Sequence, residues 1–279
     1  MKKIMLFCAV ACILAACNND NEVLNETQYI TEFKADFGAD TRMTATADNG
    51  LKFAWQEGDK LYVFQADDPD EYYKLYEYDA NTKTFKANTE ADALVADTEY
   101  FAVDHINNYA EPFTIVDDQI QFKAFLYTGM SDDVTEIPLI SDVFTATTEG
   151  TIAAMHHTVG VVEVPVLLDD RSTFTTLNNL GFYIAAGKTS GNFIATPASP
   201  YFKEATGSDA TNTWANSVTE LSTTEATSIF IPVLPGTYTD PDLNYNCEGG
   251  SRQISLDGTL TVACGRVTKM PVQTLWLRD

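Results

Sequence analysis

The sequence predicts an all-β fold, and three features carry that prediction. Apolar and polar residues alternate with a period of two in stretch after stretch. Clusters of Gly, Asp and Asn break those stretches at short intervals. No long run places apolar residues at helical spacing. Short strands between frequent turns mean a sandwich or a barrel. No fixed-period repeat recurs, which argues against a propeller or a solenoid.

Taken in order, the chain opens with Lys2 and Lys3, a short apolar run from Ile4 to Leu14, and Leu14-Ala15-Ala16-Cys17. A bilayer-spanning helix needs about 20 apolar residues. This run is shorter and reads as a secretory signal peptide over residues 1–16. The small pair before Cys17 resembles a bacterial lipobox, which implies cleavage before Cys17 and lipid on that cysteine. Residues 17–28 are polar and acidic and read as a tether between lipid and fold.

Alternation begins at Tyr29. Tyr29, Thr31, Phe33, Ala35 and Phe37 are expected on one face of a strand, with Glu32, Lys34 and Asp36 on the other. Further strands are expected at 51–55, 60–64, 72–78, 84–87, 99–103 and 119–125. A weaker stretch follows Pro138, and Gly150-Thr151 opens a second series. The strongest strand runs from Thr158 to Val166, where Pro165 predicts a strand terminus or an edge. Strands at 182–186, 228–234, 253–256, 260–263 and 267–277 complete the series. Residues 199–227 are rich in Ser, Thr, Ala and Asn, and are expected to form a long loop with a short helix near 214–221. The break near residues 145–154 suggests two sandwiches, over 29–150 and 151–279.

The net charge is −23. A surface this acidic repels phosphate backbones, so nucleic acid is not an expected partner. Acid is spread along the chain and 45% of residues are apolar, so the composition is that of a folded protein. Cys8 and Cys12 leave with the signal and Cys17 carries lipid. Cys247 and Cys264 remain, and in an exported chain they suggest one disulfide, the alternative being two unpaired buried thiols. Two ligands are too few for a zinc site.

No pattern of a known catalytic motif is present: no Gly-x-Ser-x-Gly, no His-Glu-x-x-His, no phosphate loop and no dinucleotide fingerprint. Adjacent His156 and His157 would point to opposite faces of a strand. Carboxylates are too abundant to single out a glycosidase pair. The chain is therefore read as a non-enzyme with no cofactor. The acidic groups at 67–71, 117–118, 132–133 and 169–170 fit solvated turns better than calcium loops, whose ligand spacing they lack. Tyr72, Tyr73, Tyr76 and Tyr78 could stack on sugar if exposed, but tyrosines in strands more often pair across a sheet.

Several blocks, in this order, resemble the fimbrillins, lipoprotein precursors of type V pili in Bacteroides-like bacteria. They are the lipobox at Cys17, the strand ending Phe33-Lys34-Ala35-Asp36-Phe37, Thr41-Arg42 in the turn after it, and Phe53-Ala54-Trp55-Gln56-Glu57-Gly58-Asp59 running into Lys60–Phe64. His156–Val166, Phe230–Gly236 and Cys264-Gly265-Arg266-Val267-Thr268-Lys269 follow. The resemblance implies two transthyretin-like Greek-key sandwiches in tandem, with the outer membrane reached through the Cys17 lipid. It also implies cleavage by a trypsin-like protease between Arg42 and Met43, which would remove the first strand. Asn19, Asp20 and Glu22 behind the lipid resemble an acidic surface-export run, or are simply a solvated linker. Loss of the first strand would open a groove and a templating edge. The C-terminal segment of another copy would fill it by strand addition, with Met270, Val272 and Trp276 as the donor face. Head-to-tail addition does not close and builds a filament, the fimbrium. The implied partners are other pilus subunits, and host glycan or protein for a tip. Stalk, tip and anchor roles stay open. The alternative from another class is a non-polymerising surface lipoprotein that binds glycan.

Overall fold

The computed structural model describes residues 27–37, 55–67, 73–104, 113–116, 119–124, 139–183, 191–196, 199–204, 213–247 and 249–276. In chain order the strands are β1 (Tyr29–Ile30), β2 (Glu32–Phe37), β3 (Lys60–Gln65), β4 (Lys74–Asp79), β5 (Thr84–Ala87), β6 (Leu94–Val95), β7 (Glu99–Asp104), β8 (Phe113–Val116), β9 (Gln119–Ala124), β10 (Leu139–Ser141), β11 (Phe144–Thr145) and β12 (Ile152–His157). They continue as β13 (Gly160–Leu168), β14 (Thr176–Tyr183), β15 (Gly191–Thr196), β16 (Ser199–Glu204), β17 (Thr213–Glu220), β18 (Thr227–Val233), β19 (Gly236–Thr239), β20 (Asp242–Cys247), β21 (Gly250–Ser255), β22 (Thr259–Val262), β23 (Val267–Lys269) and β24 (Gln273–Leu275). Among the described residues the helical structure is one 3-10 turn, Glu90–Asp92, and no helix is long and apolar enough to cross a membrane. The fold is all-β.

Its main sheet closes on itself. β10, β12, β2, β5, β4, β3 and β7 follow one another as neighbours, and Ile140 of β10 pairs with Val103 of β7 to complete a ring of seven strands. β11 continues β10 along the same edge of β7, with Phe144 in register with Tyr100. Closure removes the free edges that an open sheet would expose. Inside lies an aromatic-rich core with Phe33, Tyr76, Phe85, Tyr100 and Phe144, while Phe64 and Phe101 are buried on the opposite face of the sheet.

A second core is built on β13, β14, β18 and β20, around Val162, Val164, Leu180, Phe182, Ile231 and Leu243. β13 is flanked by β18 on one side and by β23 and β24 on the other. The sheet β17-β14-β20-β21 faces this core. The two cores share one spine. β12 belongs to the ring, and β13, reached through Thr158 and Val159, supplies Val161 to the first core and Val162 to the second. A further sheet, β8-β9-β15-β16, pairs strands from both halves of the chain, with Phe122 of β9 opposite Phe193 of β15.

Three local expectations are corrected. Residues 213–220 form β17, paired antiparallel with β14 from Thr176↔Glu220 to Phe182↔Thr213, and residues 199–204 form β16. Backbone pairing to a formed neighbour outweighs a Ser/Thr/Asn-rich composition that read locally as loop. The first strand is broken at Thr31, so Ile30 is buried and Tyr29 is 62% exposed, the reverse of strict alternation. Pro165 lies inside a central strand instead of at an edge. Val161 N donates to Arg266 O and Glu163 O accepts from Met270 N, so odd-numbered residues of β13 face β23 and β24. By the same alternation Pro165 faces the gap between those strands, residues 270–272, where Pro271 also stands. A missing N–H opposite a broken neighbour leaves no ladder bond unmade.

Candidate functional site

The segment that β2 occupies is the most specialised seat in the molecule. β2 runs antiparallel to β5, with Glu32↔Lys86 and Phe33↔Phe85, and parallel to β12, from Lys34↔Ile152 to Phe37↔Met155. Lys34 N donates to Thr151 O (3.0 Å) and Ala87 N donates to Thr31 O (2.8 Å), so even-numbered residues turn their backbone to β12 and odd ones to β5. Phe33 is 2% exposed, and its ring centroid lies 4.8 Å from that of Tyr76, 6.0 Å from Phe85 and 5.5 Å from Phe144.

Two side chains hold the strand where its ladder is incomplete. Tyr76 Oη donates to Ile30 O (2.7 Å) and accepts from Leu94 N (3.2 Å). Its burial holds the phenol well above the ordinary tyrosine range, so it stays a donor. Trp55 Nε1 donates to Ala35 O (3.1 Å), which faces β5 beyond the last residue pair that β5 makes. The indole also meets Phe85 edge-on, at 4.8 Å and 86°. The Trp55-x-x-Gly58-Asp59 block aims this indole. Gly58 takes φ +87°, a conformation that suits glycine, and its N–H donates to Tyr78 O (3.1 Å). Asp59 accepts from Gln56 N (2.7 Å), Tyr78 N donates to Asp59 O (2.8 Å), and Glu57 accepts from Ala80 N (2.7 Å). Burial pushes the Asp59 carboxyl up, partly offset by the Gln56 N–H. The motif is thus a turn pinned to β4 that places a clamp over β2.

The C-terminal segment is seated differently. β23 and β24 run parallel to β13, with Val267↔Val161 and Leu275↔Leu168. Val267 and Leu275 are buried, and Met270 is half-buried against the second core. Val272 is 51% exposed and Trp276 39% exposed. Lys269 Nζ donates to Glu163 (2.8 Å), which also accepts from Ser228 Oγ (2.6 Å). Arg171 lies over the Trp276 ring at 5.2 Å while its guanidinium donates twice to Asp169. Those Arg171 contacts hold the Asp169 carboxyl far below the usual carboxylate range.

Of the residues singled out from sequence, Cys17, Arg42 and Met43 lie outside the described residues, as do His105, Tyr72 and the acidic groups at 117–118 and 132–133. The Cys247–Cys264 bridge is not formed, and both are free thiols. Cys247, in β20, donates to Gly250 O (3.3 Å) within its own hairpin, while Cys264, in the turn before β23, donates to His157 O across the molecule. Burial pushes the Cys264 thiol up to about 12, far from a reactive thiolate. His156 and His157 point to opposite sides of β12. His156 Nε2 is 2.9 Å from Asp142 Oδ1, and His157 is 1% exposed with burial lowering it to about 4. Tyr76 is core, Tyr78 is half-buried against Trp55 and Phe85, and Tyr73 packs on Tyr62 (4.7 Å). Tyr76 and Tyr78 therefore pack within the sheet, whereas Tyr73, just before β4, is 46% exposed beside Tyr62. Among the described residues no group of three or more His, Cys, Asp or Glu could hold a metal ion. Neither the Trp55 clamp nor the Tyr76 bond was read from sequence. An aromatic with a polar tip placed just past a turn is the signal that could have found them.

No family model matches the chain, and no curated protein matches it. Solved structures do. One, from Bacteroides ovatus ATCC 8483 and named for cell adhesion, aligns at a TM-score of 0.58 with 10% identity, over 90% of this chain and 93% of that one. Another of the same description, from Bacteroides uniformis ATCC 8492, aligns at 0.52 with 13% identity, over 88% and 93%. At these identities the likeness is one of fold, and it extends over nearly the whole of each chain.

Proposed function

We propose that this chain is a structural or adhesive subunit of a cell-surface pilus, assembled by strand exchange. In this reading it is exported as a lipoprotein held at the outer membrane through Cys17, then cleaved between Arg42 and Met43. The removed piece carries β1 and β2. A C-terminal segment from another copy then enters the vacated place, with residues from Met270, Val272 and Trp276 as its donor face. The chain does no catalysis and needs no cofactor. Two transthyretin-like Greek-key sandwiches in tandem are part of the same reading, and the two hydrophobic cores support them.

One observation carries the proposal: the first strand is a separable insert in a closed ring. Taking β2 out would leave β12 and β5 as facing edges. It would also strip Phe33 from Tyr76, Phe85 and Phe144 and leave the Trp55 donor without its carbonyl acceptor, and the loss of β1 with it would do the same to Tyr76. Such a groove demands another strand, because unpaired buried donors and bare apolar surface are both costly. The resemblance of the Trp55–Phe64 block to fimbrillins supports the reading, and so does a fold shared with two Bacteroides proteins named for cell adhesion.

N-terminal sequencing of the protein in sheared cell-surface material tests it. A start at Met43 is expected. A start at lipidated Cys17 in all such material would overturn polymerisation by this route.

A further inference from the structure

On the strand-exchange reading, we propose the register of the incoming strand. Val272 of one copy takes the place of Phe33 in the next, Thr274 that of Ala35 and Trp276 that of residue 37, running parallel to β12 as β2 does.

The vacated seat sets three conditions. Position 33 takes a sizeable apolar side chain, since Phe33 is 2% exposed among aromatic rings. Position 35 takes a small one, since Ala35 lies half-buried against the same core as Trp55 and its carbonyl receives the indole N–H. Positions 34 and 36 turn their backbone to β12, where Lys34 N donates to Thr151 O and Asp36 is in register with Ala154. A proline at either would delete a ladder bond.

Pro271, together with side-chain charge and size, then eliminates the other alignments. Met270 at position 33 puts Pro271 at 34, and Thr268 at 33 puts it at 36. Pro271 at 33 loses the backbone group that faces β5. Lys269 or Gln273 at 33 buries a charge or an amide among aromatic rings. Val267 at 33 brings Lys269 to position 35. Thr274 at 33 forces Trp276 into the small place of Ala35, and Leu275 at 33 forces Leu277 there. With Val272 at 33, Pro271 falls at position 32. Its backbone faces β12 ahead of the first paired residue, Lys34↔Ile152, so no bond is lost.

The outer face fits as well. Gln273 would stand beside Ile152, and Leu275 beside Ala154. Ile152 is 59% exposed next to Lys34, and Leu275 would cover it diagonally. The same segment lies parallel to β13 in its own chain, so exchange keeps its direction. Val272 underfills the place of a phenylalanine, and this part of the donor is exposed at home, where it can be enlarged without disturbing the fold.

Disulfide trapping reads the register. Copies carrying Ile152→Cys, cut after Arg42 by an arginine-specific protease, are mixed with copies carrying Gln273→Cys, with Cys247 and Cys264 replaced by serine in both. Assembly is followed by light scattering and cross-linking on non-reducing gels. The 273–152 pair should link at least several-fold more than Pro271→Cys or Leu275→Cys against Ile152→Cys. Val272→Phe should lengthen the lifetime of the link by about tenfold, as an extra buried apolar group of about 1.4 kcal/mol would. Assembly with preferred linking at 271 or 275, or with no link at any of the three, overturns the register and leaves strand exchange standing. Cut chains that never assemble overturn strand exchange and the register with it.

Discussion

The two ends of the chain rest on consecutive strands of one spine, and they rest there unequally. β2 lies parallel to β12, and β23 and β24 lie parallel to β13. These are the parallel pairings among the described strands. β2 is paired on both sides, buries Phe33 among three aromatic rings, and is held by Trp55 at the Ala35 carbonyl, while Tyr76 holds the Ile30 carbonyl of the adjoining β1. The C-terminal pair is bonded to β13 along one side, is interrupted at Pro271, and leaves Val272 51% and Trp276 39% exposed. Val267 and Leu275 anchor its ends, and ionic and ring contacts cover the rest. The lesson is one of kinetics as much as stability. A strand closed into a ring leaves only when the ring opens, whereas a strand along one side of a sheet can peel away by local opening. That asymmetry suits a subunit whose first strand must stay until it is cut and whose last strand must be free to leave.

The largest test of this contrast is Phe33→Ala. Emptying a fully buried aromatic seat should cost about 3–5 kcal/mol and lower the denaturation midpoint of the whole ring. Val272→Ala, on the exposed face of the other end, should stay within about 0.5 kcal/mol. Urea unfolding of the two variants measures both. Equal losses would mean that the ends are seated alike.

Next in size is the effect of acid on the spine itself. His157 ends β12, its carbonyl receives the Cys264 thiol, and burial, reinforced by neighbouring His156, lowers its imidazole to about 4 from an ordinary 6.5. The unfolded chain therefore takes up the proton first. Stability is complete above about pH 6.5 and falls as pH drops toward about 4, by at most about 1.4 kcal/mol per unit. His157→Gln should flatten the slope between pH 6.5 and 5, whatever its effect on stability at neutral pH. A slope that survives the substitution assigns it to other groups.

How far the sequence carried this picture depends on the kind of force involved. Alternation located β2, because half-buried strands must alternate, and β-branched and aromatic residues between turn signals located β3, β5 and the core of β13. It failed at Tyr29, where a break at Thr31 changes which residue faces inward, and at residues 213–220, where pairing with β14 decides. Pro165 was misjudged because its tolerance comes from a gap in a strand a hundred residues later. The Cys247–Cys264 bridge was inferred from proximity in sequence, yet each thiol is held by a different carbonyl. Within the candidate site, the Trp55-x-x-Gly58-Asp59 block was visible as a motif, but its target, the carbonyl of Ala35, was not, since a side chain's long-range partner leaves no periodic trace.

Trp55→Phe isolates the clamp. It keeps most of the ring packing on Phe85 and deletes one hydrogen bond to Ala35, which should cost about 1 kcal/mol. Hydrogen exchange should show the loss first at the β2 amides and only then elsewhere. A change spread evenly over both cores would make Trp55 an ordinary core residue and remove one of the two locks on β2.

The smallest effect belongs to the other end. The Lys269–Glu163 pair is half open to solvent on the lysine side, and such pairs contribute about 0–1 kcal/mol. Lys269→Ala should therefore leave the global midpoint almost unmoved. It should nevertheless speed exchange at Met270 N–H, whose acceptor is the Glu163 carbonyl, and at Asp169 N–H, whose acceptor is Leu275. Both bonds exist only while the C-terminal segment is docked. Faster exchange there with an unchanged midpoint means that the segment opens on its own. If the two move together, the last strand unfolds only with the protein, and the contrast with β2 disappears.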